Sequence, residues 1–490
     1  MSRLVRLART PLIFALLLTS CAAQSPSPPA TQSSPPQVSS EPRDSTSSSQ
    51  TPETKITPHQ AEQLFRDVDT ILQFASQDTA LPIKHEVKRR MASREEVVSY
   101  LKKNMAEDKD VQRLRRTELV LKKFGLLPKD YDLQSFLVSL LEEQVAGYYD
   151  AKTKMVNLLD WVQPELQRPV LAHELTHALQ DQSFDLDKWL RRGVEDLDTK
   201  KDLRPEDITR DESSEAREAV AEGQAMAVLL DYMLAPMHRS VADAPEILEL
   251  LNEGMASGSA DSVQYKNAPI FMKEELMFPY HYGVEFEAEL LRSQGKEKAF
   301  TATLTNPPQT TREIMEPQTY LAGEHLPPLP LPDFKHILKD YARFDVGAIG
   351  EFDVALLAQQ YTDKETSKNI YPNWRGGYYY SARRKGNSSD PLALVFVTKW
   401  AGARAAAQFA AIYARGVQQR YRDAQAPEGS NLPADMKTLG SLSGDHVWKT
   451  QDGDVVIAVK NDMVLVTESL EPGITDQFRR AVLAGESESH

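Results

Sequence analysis

The pentapeptide His173-Glu174-Leu175-Thr176-His177 constrains this chain more than any other stretch of its sequence. An α-helix turns about 100° per residue, so histidines four positions apart stand on one face, one turn from each other. Two neutral imidazoles in that arrangement can converge on zinc, and a catalytic zinc site keeps one position open for water. Glu174 lies beside this face, where its carboxylate can accept a proton from that water. The spacing therefore predicts a helical zinc site with a built-in general base.

The sequence around this motif favours a partly buried helix over residues 172–181. Pro169 suits a first-turn position, and an apolar stripe accompanies the two histidines. Just upstream, residues 144–149 and 154–159 have strand-like patterns separated by the turn-like residues 150–153, which predicts a β-hairpin. The alternative interpretation is a surface helix whose two histidines are solvated.

The stretch His173-Glu-Leu-Thr-His-Ala178, with Asp181 three residues later, resembles the zinc helix of thermolysin-like peptidases. The resemblance covers only residues 140–235; the layout as a whole is similar to bacterial lipoproteins that have the same His-Glu-Leu-Thr-His-Ala-Leu-Gln-Asp core. In the wider group, the gluzincins, a sheet edge lies beside the zinc helix and a Glu on a following helix is the third ligand. The resemblance implies a zinc metallopeptidase with one Zn²⁺ ion, and it makes Asp181 a candidate for a contact around the zinc ligands.

The helix that supplies the third ligand is expected over residues 211–233, where an Ala-rich pattern repeats every 3.6 residues. Thr209 and Glu212 are spaced for a capping box at its start. An ordinary solvated acidic face is the simplest interpretation of Glu212 and Glu215.

Two glutamates on this helix compete as third ligand. Glu222-Gly223 resembles the third-ligand motif of the aminopeptidase branch of gluzincins, where a small residue lets the helix approach the metal. Glu218 followed four residues later by Glu222 instead resembles the thermolysin-like pattern of a ligand and an acidic residue beside a zinc-bound imidazole. We favour Glu222, because glycine inside a helix costs about 1 kcal/mol and usually has a packing or functional reason. The other glutamate would then orient an imidazole.

Hydrolysis of a carbonyl substrate also needs a group that stabilises the oxyanion, and gluzincins use a downstream Tyr or His. Residues 278–283 hold two phenols and an imidazole on a stretch bounded by Pro and Gly, so Tyr280 and His281 are the candidates. A buried aromatic start of the next helix explains the same cluster without catalysis. Tyr148 and Tyr149 are weaker candidates, and the backbone of their strand is able to pair with an extended peptide.

The N-terminus predicts export and lipidation. A basic start and the short apolar segment 11–18 are typical of a signal peptide, and Leu18-Thr19-Ser20-Cys21 resembles the bacterial lipobox, whose Cys is lipidated. Cys21 is the only cysteine, so the mature chain is expected to lack disulfides. Residues 1–21 are therefore interpreted as a lipoprotein signal peptide, anchored through a lipid such as palmitate. Because Ala22 rather than Asp follows, the outer membrane facing the periplasm is expected if the organism has two membranes.

The rest of the chain is divided by composition, and the expected fold class is α+β. Residues 22–56, rich in Ser and Pro, are expected to be a disordered tether, and residues 326–334 form a proline-rich linker. Residues 57–325 are expected to be a mainly helical, zincin-like metallopeptidase domain with a small β-sheet edge, and residues 335–490 a smaller α+β domain of strands, hairpins and one long helix.

The charge of the chain excludes one class of partner. A net charge of −14 argues against nucleic acid. The expected partners are a peptide or protein substrate and the membrane that holds the lipid. The alternative to a peptidase is a non-catalytic lipoprotein for envelope binding or assembly, with a structural or vestigial zinc site. Such a site usually has four protein ligands.

Overall fold

The structure is a computed structural model that describes residues 55–105, 108–144, 147–191, 202–258, 262–387, 389–427 and 440–484. The predicted signal peptide, Cys21 and nearly all of the predicted tether lie outside these residues. The chain has a mixed α+β fold with one small and one larger sheet, which confirms the expected fold class at that level.

The part of the chain before residue 326 is mainly helical. Its helices are α1 (Pro58–Thr79), α2 (Arg94–Met105), α3 (Asp108–Phe124), α4 (Leu133–Gln144), α5 (Pro164–Phe184), α6 (Leu186–Arg191), α7 (Pro205–Leu234), α8 (Pro245–Gly258), α9 (Val263–Asn267), α10 (Ile270–Gln294), α11 (Thr303–Thr305), α12 (Thr311–Met315) and α13 (Pro317–Leu321). A π-helical turn, Glu297–Ala302, precedes α11.

A three-stranded sheet lies beside α5. It consists of β1 (Lys88–Ala92), β2 (Tyr148–Asp150) and β3 (Met155–Leu159), in the order β1-β3-β2. The predicted hairpin is confirmed, since β2 and β3 are antiparallel with Tyr149 opposite Val156. The parallel pairing of β1 with β3 was not predicted. It leaves β2 as an edge strand whose outer side faces α5.

The C-terminal part is built on a six-stranded antiparallel sheet. Its elements are α14 (Phe334–Ile337), β4 (Tyr341–Ala348), α15 (Glu351–Tyr361), α16 (Lys364–Ile370), β5 (Trp374–Arg384), β6 (Ala393–Trp400), α17 (Ala403–Arg420), β7 (Gly444–Thr450), β8 (Gly453–Lys460), β9 (Met463–Glu468) and α18 (Pro472–Leu483). The strand order is β4-β5-β6-β9-β8-β7. The predicted strands, hairpins and long helix are confirmed; β4, α14, α15, α16 and α18 are additional.

Three helix boundaries expected from sequence were wrong, and in two of them a proline lies inside the helix. Helix α5 begins at Pro164, which supplies the first-turn proline, and Pro169 lies within it. Helix α7 begins at Pro205, so Thr209 does not cap it. Residues 278–283 are not a stretch that precedes a helix, since they lie in the middle of α10 with Pro279 inside it. An interior proline removes one helical hydrogen bond, and tertiary packing overrides that cost here.

The two parts of the chain share buried contacts at the end of α3. The ring of Phe124 packs edge-on against Phe396 of β6, with 5.3 Å between ring centroids. The ammonium of Lys123 lies 3.4 Å from the carboxylate of Glu468 on β9, which also binds Arg420 at 2.8 Å. Burial would raise the pKa of Glu468, but the charges of Arg420 and Lys123 outweigh it and lower that pKa to about 2. One hydrophobic core therefore contains residues from both sides of the predicted linker.

Among the described helices, none has a stretch long and apolar enough to cross a bilayer.

Candidate metal centre

Helix α5 brings His173 and His177 together on its buried face. The Nε2 atoms of the two imidazoles lie 3.0 Å apart, and the rings meet edge to face. His173 is 1% exposed and His177 is 3% exposed, so the alternative of two solvated histidines on a surface helix was wrong. The Nε2 atoms of both rings point toward Glu222 of helix α7.

Glu222 of α7 completes a group of three potential ligands. Its Oε2 atom lies 3.1 Å from Nε2 of His173 and 3.3 Å from Nε2 of His177. Atoms at the corners of a tetrahedron around a zinc ion 2.0–2.1 Å away are separated by about 3.3–3.4 Å. The three donors have the element types that zinc binds, and their mutual distances of 3.0–3.3 Å come close to this separation, so the residues present fit the ion that the sequence implies.

Glu218 lies one helical turn before Glu222 and outside this group. Among the described residues, only His173, His177 and Glu222 bring metal-binding atoms of three side chains within 4.8 Å of one another. The charge of Glu218 instead acts on Tyr280 and Glu275 of α10. The geometry therefore favours Glu222 in the choice that the sequence left open.

Helix α7 reaches the site through a close crossing with α10. A Cβ atom added to Gly223 would lie 2.8 Å from the Cα atom of Gly283 and closer still to its carbonyl group. A Cβ atom on Gly283 would in turn lie 3.1 Å from the Cα atom of Gly223. The sequence indicated that Gly223 has a packing or functional reason; that reason is the contact with α10 rather than an approach to the metal.

Glu174 is fully buried beside the ligand group and is tied to the edge strand. The backbone N–H of Tyr149 donates a 2.7 Å hydrogen bond to its Oε2 atom, while its buried Oε1 atom has no hydrogen-bond partner in the described structure. Burial raises the pKa of Glu174 to about 8, although the charge of His177 and the Tyr149 N–H oppose the shift. A carboxylate in this environment can take up and release a proton near neutral pH.

The metal-free ligands have strongly shifted protonation equilibria. Burial lowers the pKa of His173 to about 4. Burial also acts to lower the pKa of His177, but the negative charges of Glu222 and Glu174 outweigh it and raise that pKa to about 9. Glu222 has its pKa lowered, because the charge of His177 and hydrogen bonds from both imidazoles outweigh its burial. The three side chains therefore form a polar group whose charges depend on one another.

Asp181 does not contact either imidazole in the way that a residue orienting a zinc ligand would. It accepts a 2.7 Å hydrogen bond from the phenol of Tyr149 and pairs with Lys154 at 2.7 Å. The Nδ1 atom of His177 lies instead 2.9 Å from Oε1 of Gln180. Asp181 thus connects β2 and the β2–β3 turn to α5, and Gln180 orients the imidazole.

Tyr280 and His281 point in different directions, as adjacent residues of a helix must. The buried ring of Tyr280 lies 6.4 Å from the ring of His173, centroid to centroid. Burial and the charges of Glu222, Glu218 and Glu174 raise the pKa of Tyr280 well above its usual value, so its hydroxyl keeps its proton.

The imidazole of His281 is directed away from the ligand group. It packs on Tyr282 and lies 3.3 Å from the carboxylate of Glu285. Of the two candidates for stabilising an oxyanion, the structure brings Tyr280 near the ligands and places His281 on the outer side of α10.

Glu212 and Glu215 are not on a solvated face, contrary to the sequence-based interpretation. They are 2% and 3% exposed. Glu212 accepts hydrogen bonds of 3.0 and 2.9 Å from the backbone N–H and the hydroxyl of Thr311, and Gly350 packs against its carboxylate. Segments far along the chain cover this face of α7, and no local pattern around these glutamates could indicate that.

Sequence reasoning missed two glutamines around His177. Gln180 lies three residues after His177 on the same helix, a spacing that brings side chains together and could have identified it. Gln224, on α7, accepts a 2.9 Å hydrogen bond from Gln180. It belongs to an Ala-rich buried segment whose pattern contains no signal for this contact.

Comparison with protein-family models, with curated proteins and with solved structures gives no match for this chain.

Proposed function

We propose that this protein is a zinc-dependent, gluzincin-like peptidase that hydrolyses peptide bonds of envelope proteins or peptides. The observation that supports this most is the ligand group of His173, His177 and Glu222, with donor atoms 3.0 to 3.3 Å apart, next to the fully buried Glu174. A structural zinc site would usually add a fourth protein ligand. No such ligand lies within this group among the described residues, which favours the enzyme over a structural site.

When bound, zinc would supply a Lewis acid that polarises a carbonyl group and lowers the pKa of water. His173, His177 and Glu222 would hold it, and Gln180 would keep the imidazole of His177 in place. Glu174 would take a proton from the attacking water and deliver it to the leaving amine, because its carboxylate is buried beside the ligand group and is held by the backbone N–H of Tyr149. Tyr280 would donate its hydroxyl proton in a hydrogen bond to the developing oxyanion.

The proposed pairing edge for an extended substrate is the edge strand β2. Its outer side faces α5, and the N–H of Tyr149 already reaches the carboxylate of Glu174. A peptide that pairs with this edge would place its backbone next to the general base, in the manner of strand addition.

The proposal extends to the location of the protein. The lipobox Leu18-Thr19-Ser20-Cys21 and the Ser/Pro-rich segment after it support a lipid-anchored protein of the bacterial envelope, facing the periplasm in an organism with two membranes. Mass analysis of the N-terminus of the mature protein tests this, because an unmodified Cys21 with an intact leader contradicts it.

The decisive experiment compares purified wild type with Glu174→Gln and His173→Ala. Zinc content is measured first, and each protein is then incubated with a peptide library whose products are identified by mass spectrometry. We expect Glu174→Gln to keep zinc and lose hydrolysis, since only the proton acceptor is removed, and His173→Ala to lose the metal. Hydrolysis by Glu174→Gln at the wild-type rate contradicts the mechanism. Zinc without hydrolysis in the wild type favours the alternative, an envelope-binding lipoprotein.

A further inference from the structure

Two buried glutamines connect the metal centre to the π-helical turn Glu297–Ala302. The Oε1 atom of Gln180 lies 2.9 Å from Nδ1 of His177, and its Nε2 atom donates to Oε1 of Gln224 at 2.9 Å. The Nε2 atom of Gln224 then donates to the carbonyl groups of Ala299 and Phe300 at 3.1 and 3.0 Å. Both glutamine side chains are fully buried, so solvent cannot replace these hydrogen bonds.

Backbone carbonyl groups fix the orientation of each amide. A carbonyl oxygen only accepts, so the side of Gln224 that faces Ala299 and Phe300 must be its NH₂ group. Its oxygen then points to Gln180. One N–H of Gln180 donates to that oxygen, and the other donates to the carbonyl of Ala221 at 3.1 Å. A flip of either amide would set oxygen against oxygen in the interior, and each buried group left unsatisfied costs about 1–3 kcal/mol.

The far end of this chain of hydrogen bonds is also anchored. The hydroxyl of Thr303 lies 2.9 Å from Nε2 of Gln224, where it shares the two amide hydrogens with the carbonyl groups of Ala299 and Phe300, and it donates to the carbonyl of Ala299. Because the donor and acceptor roles are set by main-chain atoms at both Ala221 and the π-helical turn, the orientation does not depend on solvent.

This orientation determines which nitrogen of His177 bears a hydrogen. Since Oε1 of Gln180 can only accept, the Nδ1 atom of His177 must be the donor. In the neutral imidazole its Nε2 atom then presents a lone pair toward Glu222 and His173, as a metal ligand must. We propose that Gln180 and Gln224 form a relay that holds His177 in this ligating tautomer, with Gln224 as a positioning residue two hydrogen bonds away from the imidazole. The inference rests on the proposed zinc site.

The relay is tested by Gln180→Leu and Gln224→Leu in the full chain, with Gln167→Leu as a matched control. Gln167 is also a buried glutamine of α5, and its amide bonds main-chain atoms of Leu159 and Val162 away from the site. The dissociation constant for Zn²⁺ is measured by competition with a chelator. We expect it to rise about 10–100-fold in both relay variants, the usual effect of losing a group that orients a ligand. The Gln167→Leu protein should keep the wild-type dissociation constant, because Gln167 bonds Leu159 and Val162 rather than His177. This variant therefore measures the effect of losing a buried glutamine without disturbing the imidazole.

A second measurement separates the relay from the zinc proposal. With ¹⁵N only in histidine, NMR of the metal-free and zinc-titrated wild type shows whether Nδ1 of His177 bears a slowly exchanging hydrogen. We expect this signal in the wild type and its loss in Gln180→Leu. A bare Nδ1 atom in the wild type, or zinc affinity in Gln224→Leu equal to that of wild type, overturns the relay. If the wild type binds no zinc, the proposed function fails, and the metal-free spectrum, recorded above pH 9 where the imidazole of His177 is neutral, still decides on the relay by itself.

Discussion

Gly223 of α7 and Gly283 of α10 are in backbone contact, with room for no side chain at either position. The residues beside this contact are those that the site uses, since Glu222 precedes Gly223 and Tyr280 lies one helical turn before Gly283. The distance between the two helices therefore sets how far a ligand and a hydrogen-bond donor stand from the two histidines.

The first prediction concerns that contact. Gly283→Ala places a Cβ atom against the carbonyl of Ala219 and 3.1 Å from the Cα atom of Gly223, so the helices must separate. We expect a loss of about 1–3 kcal/mol in the free energy of unfolding, as for other overpacked sites, together with weaker zinc binding. Denaturant titration and chelator competition measure the two effects. Gly473→Ala in α18 is the control, since nothing lies within 4 Å of its added Cβ atom. Wild-type stability and zinc affinity in Gly283→Ala would show that the crossing does not set the ligand position.

The choice between the two glutamates of α7 gives a second prediction. Glu222→Gln removes a charged donor 3.1 and 3.3 Å from the two imidazoles. We expect zinc affinity to fall by more than the roughly 100-fold upper limit for residues that only orient ligands. Glu218→Gln is the matched substitution one turn away on the same helix and should lower affinity far less. If Glu218→Gln lost more zinc affinity than Glu222→Gln in the same competition assay, Glu218 would be the ligand and Glu222 the residue that orients an imidazole.

A third prediction distinguishes Tyr280 from His281. Tyr280→Phe keeps the ring near His173 but removes the hydroxyl donor, so we expect kcat on a cleaved peptide to fall about 10²–10³-fold with zinc content unchanged. His281→Gln should change kcat little, because that imidazole faces Tyr282 and Glu285. A large loss of kcat in His281→Gln alone would show that the outer side of α10 contributes to catalysis.

The fourth prediction concerns pH. Glu275 of α10 is 1% exposed, and both oxygens of its carboxyl group lack hydrogen-bond partners in the described structure. Burial, and then the negative charge of Asp353 and Glu218, raise its pKa well above the usual value. The folded state therefore keeps a proton that the unfolded chain releases above pH 4.5. The contribution of Glu275 to the free energy of unfolding is thus fully present below pH 4.5 and declines as pH rises, by about 1.4 kcal/mol per pH unit.

Glu275→Gln should remove the part of the decline that Glu275 causes and raise the free energy of unfolding at neutral pH, while the difference from wild type should vanish near pH 4. Burial raises the pKa of Glu215, Glu287 and Glu351 as well, so their contributions stay in both proteins. Denaturant titrations across this pH range measure the difference. Glu274→Gln removes a charge at the neighbouring, partly exposed position and should keep the decline, because Glu275 is still present. A parallel pH dependence for wild type and Glu275→Gln would mean that Glu275 is ionised in the folded protein.

The sequence predicted the parts of the site that depend on local periodicity. His173 and His177 share a face because the helix repeat places them there, and the β2–β3 hairpin follows from alternation around a turn. The sequence favoured Glu222 because Gly223 follows it, but the role of that glycine differs from the one expected. That glycine serves the contact with α10, and no rule on a single helix shows where its partner lies.

The residues that sequence reasoning placed wrongly depend on contacts between distant segments. Glu212 is buried because Thr311, 99 residues later, covers it. Pro279 lies inside a helix because packing along α10 outweighs its local cost. His281 is adjacent to Tyr280 in sequence, yet a rotation of about 100° per residue directs it away from the ligands.

The pairing of Lys123 with Glu468 has a consequence for how this protein would respond to cleavage. A cut within residues 326–334 would leave Lys123 on one fragment and Glu468 on the other. Separating the fragments would leave the buried ammonium of Lys123 without this carboxylate and would expose the shared hydrophobic core, whereas Glu468 would keep its contact with Arg420. The fragments would therefore remain associated or unfold together, and a protease acting at this proline-rich segment would produce a nicked molecule rather than two independent ones.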